Sequence, residues 1–126
     1  MDKLLRIDMG SEVGPQASEE PLGDYAGLGG RAMTSAIVAK EVPPLCHPLG
    51  KNNKLVIAPG LLSGSHAAQS GRISVGCKSP LTGGIKEANA GGQEPRYRPG
   101  WVTPLLCLRA NPMMIPFTRW SSTKTV

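Results

Sequence analysis

GRISVGCKSPLTGGIKEANAGG, residues 71–92, is the stretch whose reading decides the fold of this chain. Residues 72–78 alternate, with Ile73, Val75 and Cys77 on one side and Arg72, Ser74, Gly76 and Lys78 on the other. A period of two with β-branched apolar positions predicts a half-buried strand. Ser79–Gly84 then supplies turn chemistry, because proline fixes φ and glycine admits positive φ. Asn89-Ala90-Gly91-Gly92 reads as a glycine-rich loop. Glycines let a backbone approach a ligand closely, and exposed N–H groups can cradle an anion. Arg72 offers a planar fork suited to phosphate and Lys78 a point charge. The residues leave two readings open. One is an anion or phosphate site that needs no acid–base side chain; the other is a hairpin with a solvated basic face and two glycine turns.

Upstream of this stretch, Leu4–Met9 alternates as a strand, and the turn residues Gly10-Ser11 and Gly14-Pro15 make it the opening of a hairpin. Residues 15–24, acidic and proline-containing, predict an exposed loop or the first turn of a short helix. Gly27–Ala32 (GLGGRA) matches the letters of a dinucleotide fingerprint, but that fingerprint needs a strand directly before it, and EEPLGDYA is not one. The segment is read instead as a glycine-rich helix start. Arg31–Val42 has helical spacing and is stopped by Pro43-Pro44. Lys54–Pro59 (KLVIAP) is a continuous apolar run and predicts a buried central strand. Leu61–Ser65 and Pro80–Gly84 each follow a strand with similar turn residues, which is consistent with a sheet whose turns gather on one edge. His47 and His66 both fall in turn-rich segments, with no second histidine or paired carboxylate near either, and read as solvated.

The length of 126 residues allows one domain, burying roughly two thirds of the unfolded surface. Gly 16 and Pro 12 make many turns rather than long elements, and five aromatic residues leave the core to aliphatic side chains. The net charge of +5 suits an anionic ligand, but the basic residues do not form the aromatic-interleaved cluster of a nucleic-acid binder. No apolar run approaches the ~18–20 residues of a membrane span. Arg6 and Asp8 interrupt what would be a signal sequence, and a cytoplasmic chain with no membrane or nucleic-acid partner is expected. Cys46, Cys77 and Cys107 include no C-x-x-C pair, so no zinc site or cluster is encoded and three reduced thiols are expected.

After Gln93 the composition changes. Residues 94–126 hold four of the five aromatics, five prolines and one glycine, and their basic residues face a single acid, Glu94. Prolines at this spacing predict an irregular tail, and Pro104 is expected to break any ladder made by Trp101–Leu108.

The order and spacing of several pieces carry a resemblance: LLRIDM, GLGGRA, KEVPP, HPLGKNNKLVIAPGLLSGS and SGRISVGCKSPLTGGIKEANAGG. Over residues 3–93 the chain resembles the N-terminal domain of the tungsten-containing aldehyde:ferredoxin oxidoreductase family. The resemblance implies an α+β, sheet-rich domain, here incomplete, with a Pro-rich irregular C-terminal tail. It divides the chain into residues 1–93, a partial domain of this family, and 94–126, an unmatched Pro/Arg-rich tail that either a change of reading frame near codon 93 or a genuine, diverged C-terminal extension serving as a binding segment would explain. The function it implies is the pterin-cofactor-binding part of an enzyme oxidising aldehydes to carboxylic acids with ferredoxin as acceptor, inactive as this fragment. The implied cofactors are a tungsten or molybdenum bis-pterin and magnesium, with a [4Fe–4S] cluster only in a downstream part. By position it implies cofactor contacts for Arg72, Asn89 and Gly91, and for the Asn89 backbone carbonyl a magnesium ion bridging the pterin phosphates. It identifies no catalytic residue in this chain, and a homodimer is compatible with it. The alternative is a non-catalytic small basic protein that binds anions or acts as an interaction module.

Overall fold

The computed structural model describes residues 3–10, 13–63 and 65–91, and the backbone of residues 105–109. Six strands form one sheet: β1 (Lys3–Asp8), β2 (Gln16–Pro21), β3 (Lys54–Pro59), β4 (Arg72–Lys78), β5 (Ile85–Gly91) and β6 (Leu105–Arg109). One helix, α1 (Gly30–Glu41), follows a 3-10 turn over Gly23–Tyr25. The strands stand in the order β2-β1-β6-β3-β4-β5, all neighbours antiparallel except β1 and β6. The sequence expectation of a sheet-rich α+β domain is met.

The helix lies on one face of the sheet. Its Met33, Ile37 and Val38, with Val42 just beyond its end, join Leu4 of β1 and Val56 and Ala58 of β3 in the core. β4 carries the closest approach. A Cβ at Gly76 would stand 2.6 Å from the Cβ of Thr34, so only glycine lets the helix settle at this depth. The alternation of β4 is therefore real but its inward side is the other one. Ser74, Gly76 and Lys78 are buried, whereas Ile73, Val75 and Cys77 are half-buried on the face opposite the helix. The reading of Ser74, Gly76 and Lys78 as a solvated face is corrected. Small residues admit the helix there, and the chain from Pro43 to Asn53 closes over Lys78.

Three further expectations change. Residues 16–21, read as loop or helix start, form the edge strand β2. QASEEP has low strand propensity, but its backbone pairs with β1 throughout, and Lys3–Glu19 and Arg6–Glu20 bridge the two strands. The glycine-rich loop at 89–91 is the end of β5, held in register with β4 along its full length. The turns do not gather on one edge: successive antiparallel strands put the β3–β4 connection at one end of the sheet and the β4–β5 turn at the other.

The expectation that Pro104 keeps Trp101–Leu108 out of a ladder fails for its second half. β6 occupies the slot between β1 and β3, with Leu5 opposite Leu106 and Ile57 opposite the same residue from the other side. A proline that precedes a strand removes no donor from the ladder itself. Among the described residues β1 and β3 make no direct ladder, so β6 joins a β1–β2 pair to a β3–β4–β5 unit.

A charge cluster ties the same two parts together. The Glu41 carboxylate at the end of α1 accepts both terminal nitrogens of Arg6 from β1, each at 2.7 Å, the Tyr25 hydroxyl at 2.9 Å, and Lys54 Nζ from β3. The Arg6 guanidinium beside it, followed by Lys54 and Tyr25, outweighs burial and holds Glu41 down to about 2. Burial and the Glu41 carboxylate push the Tyr25 phenol up to about 12.

Candidate functional site

The three residues expected at a cofactor site meet at one end of the sheet, where β4 begins and β5 ends. Arg72 stands directly opposite Gly91 in the ladder, and Asn89 opposite Ser74. Directly opposed residues share a face, so Arg72, Gly91, Ser74 and Asn89 lie together on the helix side.

The backbone of Arg72 is fixed from three directions. Its carbonyl accepts the Gly60 N–H at 3.1 Å and the Ser63 hydroxyl at 3.1 Å, and its own N–H donates to the Ser70 carbonyl at 2.9 Å. The Ser63 hydroxyl is shared with the Ser70 carbonyl at 3.0 Å. Its side chain is treated differently. Arg72 is exposed, and its guanidinium has no partner among the described residues. Beside it, a Cβ placed on Gly91 would meet nothing within 4 Å. A clamped backbone, an unspent bidentate donor and open space next to it make a geometry that can take an anionic oxygen.

Asn89 is less free than its sequence context suggests. Its side-chain oxygen accepts the Ser74 hydroxyl at 2.6 Å, and its amide donates to Glu87 at 3.3 Å. Glu87 also accepts Arg31 from the first turn of α1, at 3.0 Å. The GLGG segment that opens α1 packs on the β3–β4 loop so closely that a Cβ on Gly29 would stand 2.7 Å from the Leu61 nitrogen. The start of the helix, the 60–71 loop and the β4–β5 ends therefore form one assembly. Among the described residues, the buried side-chain polar atoms left without a hydrogen bond are Ser70 Oγ, just before β4, and Glu87 Oε1 in β5. Sequence reasoning missed Ser63 and Ser74 as the residues that position the site. Their only signals were the place of Ser63 among the turn residues of Leu61–Ser65 and that of Ser74 on the polar side of the 72–78 alternation.

Lys78, read with Arg72 as an anion ligand, is not part of this region. It is buried at the far end of β4, where its ammonium donates to the Pro44 carbonyl and its backbone exchanges hydrogen bonds with the Asn53 side chain at 3.0 and 3.1 Å. His47 and His66 are exposed, and among the described residues no three His, Cys, Asp or Glu side chains gather to hold a metal ion. Cys46 and Cys77 are free thiols; the Cys107 side chain lies outside the described residues. No described helix is long and apolar enough to cross a membrane.

A sequence profile of the family described as aldehyde ferredoxin oxidoreductase, N-terminal domain, matches residues 4–97. The chain belongs to this family. The tungsten-containing aldehyde ferredoxin oxidoreductase of Thermococcus kodakarensis is 48% identical over 65 residues, which cover 52% of this chain and 11% of the relative. The Pyrococcus horikoshii protein of the same name is 45% identical over 90 residues, covering 71% of this chain and 15% of the relative. The family is thus one named for oxidoreductases, and this chain spans only about a seventh or less of the relatives' length. Among solved structures, the active-site complex BamBC of benzoyl coenzyme A reductase, bound to 1,5-dienoyl-CoA, superposes with a TM-score of 0.67 at 24% identity. That match covers 88% of this chain and 17% of the other, and it supports the aldehyde ferredoxin oxidoreductase type of fold described above.

Proposed function

We propose that this aldehyde ferredoxin oxidoreductase N-terminal domain holds the phosphate-bearing part of a tungsten bis-pterin cofactor, through Arg72, Asn89 and Gly91. The observation that carries the reading is the Arg72–Gly91 pair, an exposed guanidinium without a described partner beside open space at the end of a sheet. The residues fit the group. Arg72 offers two parallel N–H donors to a phosphate, Gly91 leaves room for it, and Asn89 is held in place by Ser74. In the same reading the Asn89 backbone carbonyl would help to hold a magnesium ion, which would supply further neutralisation of phosphate charge. When bound, the tungsten–pterin group supplies the two-electron oxidation of an aldehyde to a carboxylic acid, with ferredoxin as acceptor. The chain's own contribution is positioning and charge neutralisation, and no described side chain is assigned to acid–base work.

The reading extends to residues 1–93 as the family domain and 94–126 as a tail of different character. It also expects a cytoplasmic enzyme whose [4Fe–4S] cluster lies in sequence beyond this chain, and no aldehyde oxidation by these 126 residues alone. Purified protein that reduces a viologen dye with an aldehyde as donor would overturn that last point.

Calorimetric titration with a pterin monophosphate tests the site. The wild-type chain is expected to bind with an affinity that falls as salt rises, and Arg72→Met to bind at least tenfold more weakly with unchanged circular dichroism. Equal binding by the two proteins would remove Arg72 from the site.

A further inference from the structure

The far end of β4, ~20 Å from Arg72, holds a cation that the pterin reading does not use. Lys78 is only 6% exposed, and its ammonium donates to the Pro44 carbonyl. An ammonium has three N–H donors and one charge, so two donors remain. Among the described residues no carboxylate pairs with it. A buried charge is costly without a counter-charge. The root of this side chain is fixed: the Asn53 side chain accepts the Lys78 N–H at 3.0 Å and donates to its carbonyl at 3.1 Å.

Lys78 and Pro44 both line a cavity of about 220 Å³ between the end of α1 and the β4–β5 turn. Every other side chain on its wall is apolar, with Val38, Val42 and Ile85 the largest. The backbone offers little more. The Val42 N–H is spent on the Val38 carbonyl at 3.1 Å, that of Gly83 on the Ser79 carbonyl at 2.9 Å and that of Gly84 on the Thr82 hydroxyl at 3.3 Å, and the two prolines have none. This chemistry selects the occupant. A divalent cation finds no carboxylate here. A phosphate brings more oxygens, and more charge, than one ammonium satisfies. A monocarboxylate brings one charge and two acceptor oxygens, and leaves the rest of its surface to the apolar wall. An apolar cavity of roughly 150 Å³ takes benzene, so this one admits a body of about five or six carbons with its carboxyl group. We infer that the Lys78 cavity binds a small aliphatic monocarboxylic acid in its ionised form, the carboxylate on the ammonium and the chain against Val38, Val42 and Ile85. This does not depend on the Arg72 site.

The test is calorimetric titration of the whole chain with sodium hexanoate. One molecule is expected to bind per chain. Hexanol, which keeps the apolar body without the charge, and acetate, which keeps the charge without the body, are each expected to bind at least tenfold more weakly. Ala39 lines the cavity from an exposed position on α1, so Ala39→Leu crowds the cavity at little risk to folding. It is expected to weaken hexanoate at least tenfold with unchanged circular dichroism. Lys78→Met, scored on protein with the wild-type circular dichroism, is expected to bind hexanoate no better than hexanol. No heat at millimolar hexanoate, equal binding of hexanoate and hexanol, or full binding by Ala39→Leu would each overturn the inference. Saturating pterin monophosphate is expected to leave hexanoate affinity unchanged, and displacement would put the acid at Arg72 and overturn it too. A chain that takes hexanoate and ignores the pterin would end the Arg72 reading alone, so the two failures are distinguishable.

Discussion

Two arginines on neighbouring parts of the sheet have opposite fates. Arg6, in β1, is spent on its own protein. Its guanidinium grips Glu41 with two parallel bonds and reaches Glu20 at 2.6 Å with the third nitrogen. Arg72, at the start of β4, has its backbone secured by Gly60, Ser63 and Ser70 and its charge left over. The difference separates structural from available charge. A carboxylate at a helix end that must serve β1, β3 and Tyr25 together is a fastening, because removing it takes a shared acceptor from two cations and a phenol. A guanidinium with a rigid root and no described partner contributes little to folding and is free to meet an anion.

The largest expected effect falls on the fastening. Glu41→Ala should destabilise the chain by about 3 kcal/mol in urea unfolding, since it takes from the partly buried Arg6 and Lys54 the carboxylate that they share. A loss below about 1 kcal/mol would mean that the cluster is ornament and the comparison false. The same group sets the acid limb. Glu41 is held at about 2 against an ordinary 4.5, so its contribution is whole above pH ~5 and is lost as the pH falls toward 2; Glu41→Gln should flatten that limb. Tyr25 acts in the opposite sense. Its phenol is raised from 10 to about 12, so its share is present below pH 10 and disappears between 10 and 12.

Next in size is the contact that both regions share. Gly76→Ala forces its new methyl against Thr34 and should cost about 2 kcal/mol, with a smaller increment when Thr34→Gly is already present. Additive costs would show that the helix does not seat on Gly76. The smallest effects on stability are expected at the open end. Arg72→Met and Gly91→Ala should each change unfolding free energy by less than about 0.5 kcal/mol. A cost above 1 kcal/mol for Arg72→Met would make it a second fastening and end the contrast with Arg6.

Local pattern accounts for much of this architecture. The alternation of Leu4–Met9, the apolar run KLVIAP, the helix stopped by Pro43-Pro44 and the alternating strand at 72–78 all depend on near neighbours in sequence, and they stand in the structure as β1, β3, α1 and β4. The family resemblance implies cofactor roles for Arg72, Asn89 and Gly91, and antiparallel pairing brings the three residues to one end. What local pattern missed shares one cause. QASEEP becomes a strand because β1 offers it a ladder, and Leu105–Arg109 enters the sheet because a slot exists between β1 and β3.

The inward side of β4 is the sharpest case. Sequence alone determined that Ile73, Val75 and Cys77 share one face and Arg72, Ser74, Gly76 and Lys78 the other, because a strand alternates whatever surrounds it. Only the tertiary structure decided that the helix lies on the second. A helix packs where side chains are short enough to admit it, and Gly76 leaves room for Thr34 where a branched residue would not. Hydrophobicity names the face that must be covered; volume names the face that α1 can reach.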